Sequence, residues 1–429
     1  MKFQVPRGTR DILPVESGRW ERLENRARDI LARYGYREVR TPMFESTELF
    51  VRSVGESTDI VRKELYTFED RKGRSLTLRP EGTAPVVRAY LEHSLGHADP
   101  VTRLYYLGPM FRYERPQAGR YRQFWQIGAE LFGSAAPAAD AEMIDLFVSI
   151  LQSVGLSDVS VLLNSLGDEE CRPVYRERIR EYFGTSLEAL CGDCRERHRT
   201  NPLRILDCKV PSCQPLLAGA PSVLDSLCGS CREHFDGVRA ALAALRIPTE
   251  TAPRLVRGLD YYTRTVFEVH AAGLGAQSAV GGGGRYDQLV RDFGGPMTPA
   301  IGFSIGMERL LQATGAVEEP APAPSDVCVV ALQPSAVHDA LELARSLRGL
   351  GGGQVGEALR VLVDVSGKSA SAQMKWASKS QARHVAFVPA GADGYGVRDM
   401  VAGKDEAPQR TVESLRAWLL ERRAAGGTA

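Results

Sequence analysis

Between Gly108 and Gly133 the chain reads GPMFRYERPQAGRYRQFWQIGAELFG. Arg112 ends one β-prone run. Arg115, Gln117, Arg120 and Arg122 crowd a polar loop, and Phe124, Gln126 and Glu130 follow on a second run. In an antiparallel hairpin, residues an even number apart share a face. Phe124, Gln126 and Glu130 are therefore expected to converge on one pocket, with Gly128 leaving room between them. Arginine suits such a place, because its planar fork grips a carboxylate or phosphate through two hydrogen bonds. A charged surface hairpin would share this composition, so the hairpin alone defines no function.

Two more constellations follow. LVRGLDYYTRTVFEV sets Arg257, Asp260, Tyr261 and Tyr262 at the head of a β-prone run. AIGFSIGMERLL, residues 300 to 311, packs small residues where a strand meets a helix and places Arg309 in that helix's first turns. The run Gly281 to Gly284 is no phosphate-binding P-loop, since Gly-Lys-Ser/Thr is missing. It is expected to let a ligand or another backbone approach closely. Cys191-Gly-Asp-Cys194 and Cys228-Gly-Ser-Cys231 form two CxxC pairs, with Cys208 and Cys213 between them. Paired CxxC motifs suit tetrahedral zinc, but this interval is longer than in a compact zinc ribbon.

These residues need positioning elements. Residues 16 to 34 predict an amphipathic helix with Trp20, Leu23, Ala27, Ile30 and Leu31 on one face and Gly35 at its end. Strands are expected at 36 to 40, at 74 to 79, as a pair within 101 to 133, at 255 to 270 and at 277 to 284. Residues 300 to 312 read as a strand leading into a helix. Asp140 can cap a helix burying Met143, Ile144, Phe147, Ile150 and Leu151. From about 168 to about 250 the texture turns rich in Arg, Glu and Cys at helical spacing, which reads as a helical insertion. EEPAPAPSD, residues 318 to 326, carries Pro320, Pro322 and Pro324 and reads as a linker. Beyond it strands and helices alternate as in a small α/β domain, and residues 422 to 429 read as a disordered tail.

The chain has 429 residues, so two or three domains are expected. Its 54 basic and 53 acidic residues leave a net charge of +1, which argues against a protein coated by nucleic acid but allows a local basic face. No run is long and apolar enough to cross a membrane, and MKFQVPRGTRDILP carries no apolar signal core, so a cytoplasmic location is expected. In that compartment the eight cysteines are expected as thiols or metal ligands.

Taken together the motifs resemble a known family. FRYERPQAGRYRQF looks like motif 2 of class II aminoacyl-tRNA synthetases, GFSIGMERL is similar to motif 3, and YGYREVRTPMFE resembles motif 1, a dimer-interface element. LVRGLDYYTRTVFEV, AVGGGGRYDQLV and RPEGTAPVVRAY resemble signatures of the histidyl-tRNA synthetases, in the expected order along essentially the whole chain. The resemblance implies an α+β fold, an antiparallel sheet flanked by helices over residues 1 to 325, interrupted by the helical insertion. A C-terminal α/β anticodon-binding domain would span 326 to 429. It implies ATP-dependent ligation of L-histidine to tRNA(His) through a histidyl-adenylate, releasing AMP and pyrophosphate, by a homodimer.

By the same resemblance, Arg112 would bind the α-phosphate and the amino-acid carboxylate, and Arg257 the opposite side of that phosphate. Glu114 and Phe124 would hold adenine, Arg309 its other face, and Arg120 the bent triphosphate, with Mg2+ bridging the β- and γ-phosphates. Histidine would be met by Glu81, Gly82, Thr83, Gln126, Glu130, Tyr261 and Tyr262 together with Arg112 and Arg257. Arg115 and Gln117 would meet the tRNA acceptor end, and Lys368, Lys375 and Lys379 are basic candidates in the C-terminal domain. The family does not require zinc, which weighs further against a zinc site. A regulatory paralogue that has lost catalysis would lack the C-terminal domain and erode Arg112, Arg257 and Arg309, which are all present here. A sister class II enzyme for another amino acid fits LVRGLDYY poorly.

Overall fold

A computed structural model describes residues 3–56, 58–115, 119–271, 279–315, 325–349, 358–389 and 394–425. The chain divides into two compact units, Met1–Val317 and Glu318–Ala429. Among the described residues no helix is long and apolar enough to cross a membrane.

The first unit opens with α1 (Pro14–Arg33), which starts on a proline whose missing N–H costs nothing at a helix start and ends before Gly35 at φ +79°. Its face of Trp20, Leu23, Ala27 and Leu31 is buried, while Ile30 packs half-buried beside it. Then come β1 (Arg37–Glu38), β2 (Phe44–Ser46), α2 (Thr47–Val54), a π-helical turn at Ile60–Glu64, β3 (Tyr66–Glu69) and β4 (Ser75–Leu78). Next are α3 (Thr83–Glu92), α4 (Leu95–Ala98), β5 (Thr102–Phe111), β6 (Gln123–Phe132), α5 (Pro137–Ser153) and β7 (Val159–Ser165). The insertion supplies α6 (Cys171–Gly184), α7 (Gly192–Thr200), α8 (Gln214–Ala218) and α9 (Gly229–Ala244), joined by short 3-10 turns. The chain returns through β8 (Thr249–Thr251), β9 (Thr263–Ala271), β10 (Ala279–Arg285), α10 (Leu289–Asp292), β11 (Ala300–Gly306) and α11 (Met307–Ala313).

Eight strands form one sheet in the order β1-β5-β6-β11-β10-β9-β7-β8, antiparallel except at the two edge pairs. Strands β2, β4 and β3 form a separate small sheet. Period-two alternation sorts β6: Ile127, Ala129 and Leu131 enter the core with α1 and α5, while Gln126, Gly128 and Glu130 face the other way. One face of the sheet is thus packed against helices, and the other is free to build a site.

Two expectations need correction. Residues 255 to 262 are not strand; β9 begins at Thr263, so Arg257 to Tyr262 lie on the loop that feeds it. Asp140 does not cap α5, whose N-cap is Ala136. Asp140 lies fully buried within that helix, accepting from Arg285 Nε at 3.0 Å and pairing with His234 Nε2 at 2.8 Å. Burial alone would raise its carboxyl, but the His234 hydrogen bond and the Arg285 charge outweigh that and hold it below the ordinary range. Arg285 also donates to Ser134 O at 2.9 Å and Asp287 Oδ1 at 3.0 Å, tying β10 to α5 and to the turn after β10.

The second unit has β12 (Val327–Ala331), α12 (Val337–Leu347), β13 (Val361–Val363), α13 (Ala370–Lys379), β14 (His384–Val388), β15 (Tyr395–Asp399), β16 (Lys404–Gln409) and α14 (Val412–Ala425). Its sheet runs β13-β12-β14-β15-β16, parallel in the first three strands and antiparallel beyond. Helices α12 and α14 share one core through Leu343, Leu347, Leu415 and Leu419, and α13 joins the other through Ala377. Most of the expected linker lies outside the described residues. Its last residue does not behave as linker: Asp326 is buried, and its Oδ2 accepts Arg360 N at 2.8 Å. The expected disordered tail is helical through Ala425, and 426 to 429 lie outside the described residues.

Replacing Arg285 with methionine strips the buried Asp140 of its main cation. The expected loss is about 3–5 kcal/mol, read as an earlier urea-unfolding transition of the first unit. A transition unchanged to within about 0.5 kcal/mol would show the pair contributes nothing beyond packing.

Candidate active site

A cavity of about 420 Å³ opens over β6, β11, β10 and β9 on the face away from α1 and α5. Its walls include Arg112, Arg120, Arg257 and Arg309, and with them Glu64, Glu81, Glu114, Glu268 and Glu308. Thr83, Phe124, Gln126, Ser304, Tyr261, Tyr262 and the insertion residue Arg204 also line it. Stretches far apart in sequence, from Glu64 and Glu81 through the Arg112 hairpin and the Arg257 loop to Arg309, are therefore brought to one place.

Arg112 leaves the end of β5, donates through Nε to Pro80 O at 2.8 Å, and stands 5.2 Å over the Phe124 ring centroid. Glu114 lies 3.8 Å from Arg112 Nη1 and 3.5 Å from Arg120 Nη1, so one carboxylate orients two cations. On the far wall Arg257 Nη1 donates to Glu268 Oε2 at 2.6 Å, and His270 Nε2 lies 2.7 Å from Glu268 Oε1. Arg257 Nε is buried without a hydrogen-bond partner. Arg309 Nη1 donates to Ala279 O at 2.7 Å. Burial, then the neighbouring Arg120 charge, pulls the Arg309 guanidinium below its ordinary value.

The deeper end is built on buried hydrogen bonds. Glu81 accepts the Thr83 and Ala84 N–H groups at 2.7 and 2.8 Å, securing the start of α3. Gly82 is the residue before that helix and does not line the cavity. Glu130 does not line it either: it is fully buried one layer down, accepting from Thr83 Oγ1 at 2.8 Å and from the Tyr286 hydroxyl. Its room is made by Gly302, where a Cβ would lie 1.7 Å from Glu130 Oε2. Burial pushes the Glu130 carboxyl up to about 8, with Glu81 adding to the rise and the Tyr286 and Thr83 hydrogen bonds opposing it. Gln126 donates to Ser304 Oγ at 3.3 Å, while its Oε1 is buried without a partner. An orphaned buried acceptor on a cavity wall is costly, and a ligand N–H would satisfy it. Tyr261 and Tyr262 lie tilted against each other, ring centroids 4.8 Å apart, as an aromatic side wall.

Not every expected residue gathers here. Arg115 is exposed and outside the cavity wall, and Gln117 lies outside the described residues. Lys368, Lys375 and Lys379 are exposed on the second unit. Sequence reasoning missed Glu268, Ser304, Tyr286 and Glu308. Glu308 accepts the Trp125 N–H at 3.1 Å, and burial pushes its carboxyl up to about 7. It also missed Arg204, an insertion residue that donates to Arg257 O at 3.2 Å and Gly258 O at 3.0 Å. The two CxxC pairs do not form one set. Cys191 and Cys194 gather with Cys208 and Cys213, whereas Cys228 and Cys231 gather with Asp168 and Cys171.

An antiparallel sheet with an arginine-bearing hairpin and a glycine-punctuated strand–helix on its open face has the architecture of a class II aminoacyl-tRNA synthetase. A profile described as histidyl-tRNA synthetase matches residues 8–167 and 216–310. A histidine–tRNA ligase from Geobacillus kaustophilus is 50% identical over 393 residues, which is 90% of this chain and 91% of that protein. One from Syntrophotalea carbinolica is 48% identical over 425 residues, 98% and 99% of the two chains. The crystal structure of apo S. aureus histidyl-tRNA synthetase superposes with a TM-score of 0.79 at 35% identity, covering 97% of this chain and all of that one. The chain belongs to the histidyl-tRNA synthetase family.

A carboxyl raised from its ordinary 4.5 to about 8 favours the folded state most at low pH. Glu130's contribution is full below about pH 4.5 and is lost as pH rises through about 8. The melting-temperature difference between wild type and Glu130→Gln should therefore shift against wild type from about pH 5 to about pH 8. A difference constant with pH would mean that Glu130 is already ionised in the folded protein across that range.

Proposed function

We propose that this chain activates L-histidine with ATP and transfers it to tRNA(His), and that the cavity is where both steps occur. The observation that carries the reading is the convergence of Arg112, Arg257 and Arg309 on one cavity whose deep end presents unsatisfied and carboxylate acceptors. Cations at the mouth suit a triphosphate and a carboxylate; acceptors and aromatic walls at the depth suit an α-ammonium and an imidazole.

In the first step a histidine carboxylate oxygen attacks the α-phosphorus, the bond to the β-phosphate oxygen breaks, and pyrophosphate leaves. Arg112 and Arg257, from opposite walls, would spread the charge on the α-phosphate as it forms, the kind of fixed electrostatics that lowers a barrier most. Phe124 would stack on adenine with Glu114 beside it, Arg309 would cover its other face, and Arg120 would hold the bent triphosphate. In the second step the 3′-terminal ribose hydroxyl attacks the activated carbonyl carbon, and AMP leaves. Arg115 and Gln117 would guide that end of the tRNA. The second unit would take the anticodon, whose single-stranded bases are read by stacking and edge contacts.

Glu81, Thr83 and Gln126 would receive the ammonium and the imidazole, with Tyr261 and Tyr262 as walls. Glu130 would lie deepest. Buried one layer down and accepting from the Thr83 hydroxyl at 2.8 Å, it would position Thr83 at the pocket floor. The pocket carboxylates Glu114 and Glu268 are already paired with arginines. That fits Mg2+ held mainly by phosphate oxygens and water, where it would neutralise β- and γ-phosphate charge.

A homodimer in the cytoplasm belongs to the same reading. Met43, Phe44 and Phe68 are exposed large apolar residues on or beside the small sheet, with the Phe44 and Phe68 rings 6.2 Å apart, and a second copy would cover them.

Histidine-dependent ATP–pyrophosphate exchange, run beside a panel of other amino acids, tests the proposal. Exchange with histidine alone is expected. Folded protein that exchanges with no amino acid would overturn it and favour a non-catalytic relative. Arg257→Ala should lower exchange about 10²-fold or more without changing the oligomeric state, and unchanged exchange would remove Arg257 from its assigned place.

A further inference from the structure

Four of the insertion's seven cysteines gather in a cluster that the amino-acid-activating chemistry does not use. Cys191 precedes α7, Cys194 sits in its first turn, Cys208 follows the 3-10 turn Pro202–Asp207, and Cys213 ends the turn Pro211–Cys213. Their sulfurs all lie within 4.8 Å of one another, and three of the four residues are buried. Cys191 Sγ and Cys208 Sγ are 3.9 Å apart. That is far from a disulfide, at about 2.05 Å. It is close to the roughly 3.8 Å separating two sulfurs that each bind one tetrahedral zinc at about 2.3 Å. Backbone N–H groups already point at two of these sulfurs: Cys191 N at 3.3 Å from Cys213 Sγ, and Val210 N at 3.4 Å from Cys208 Sγ. Such donors steady thiolate charge around a metal. Four thiols, which are weak donors and weak acceptors, gain little from crowding one another without an ion.

We propose that Cys191, Cys194, Cys208 and Cys213 bind one structural zinc ion. The ion clasps both ends of a segment that braces the cavity. Within that segment Arg197 pairs with Asp59 at 3.0 Å, Asn201 donates to Asp260 Oδ1 at 3.0 Å, and Arg204 holds the carbonyls of Arg257 and Gly258. Only this bracing effect rests on the proposed role of Arg257; metal binding does not. The long interval between the CxxC pairs is no obstacle, because the pairs do not share an ion. The second group has protein partners enough: Asp168 accepts from Arg264 at 3.2 Å and from Glu170 N at 3.1 Å, and Cys228 contacts Ser230 Oγ at 3.4 Å. It is left out of the proposal and supplies the control.

The test is zinc content by mass spectrometry of untagged full-length protein, purified without chelators. Wild type and Cys228→Ser should each carry about one equivalent more zinc than Cys194→Ser. Zinc-edge X-ray absorption of Cys228→Ser should show four sulfurs at about 2.3 Å, which needs no variant at the four-cysteine group. Zinc below about a tenth of an equivalent in wild type, or a first shell containing oxygen or nitrogen in Cys228→Ser, overturns the proposal. Zinc present without histidine-dependent exchange would count against the function and leave the metal site standing.

Discussion

A sheet can carry a deep polar site only if its open face is kept low and its buried charges are matched. Here Gly302 and Glu130 meet that constraint across neighbouring strands. The absent side chain at Gly302 is the space the carboxylate occupies, since a Cβ there would overlap Oε2. Gly128 does the same for the Tyr106 ring, which a Cβ would approach to 2.1 Å. Isolated in an apolar interior, Glu130 would be costly. Thr83 from α3 and Tyr286 from the turn after β10 supply its donors, so the same bonds join three elements beneath the pocket. Behind the sheet, α1 and α5 close the core and leave the strands no freedom to sag.

Above that floor the charges are arranged in the opposite sense. Arg112, Arg120 and Arg257 are each held by a carboxylate or carbonyl, yet their guanidinium groups still border open space. Arg112 and Arg257 are thus oriented by their partners before any ligand arrives, which reduces the ordering cost on binding. The insertion contributes from outside the sheet: Arg204 fixes the carbonyls around Arg257, so the loop carrying that arginine is braced from a separate helical layer.

Much of this was legible in the sequence, for local reasons. The even spacing of Gln126, Gly128 and Glu130 showed their shared face, because strand alternation is a property of the chain alone. Trp20, Leu23, Ala27 and Leu31 marked the buried stripe of α1 for the same reason. What escaped depends on partners distant in sequence. Asp140 sits where a cap might be expected, but its carboxylate is claimed by Arg285 and His234, nearly a hundred residues or more away. Glu268 and Tyr286 look like ordinary strand and turn residues until the fold brings Arg257 and Glu130 to them. The cysteines teach the same lesson: CxxC spacing identifies the pairs, while the tertiary fold decides which other residues complete each group.

In the proposed reading, the deep end of the cavity receives the imidazole through its ring N–H, which the orphaned Gln126 Oε1 would accept. Calorimetric titration with histidine and its two ring-methylated isomers, without ATP, addresses this most directly. Each methyl group removes one ring N–H or acceptor while keeping the ammonium and carboxylate. The account predicts that histidine binds and that both methylated forms bind at least about tenfold more weakly, the consequence of leaving a buried polar group unpaired. Equal binding of histidine and both isomers would mean that the Gln126 acceptor does not read the ring, and would contradict the account.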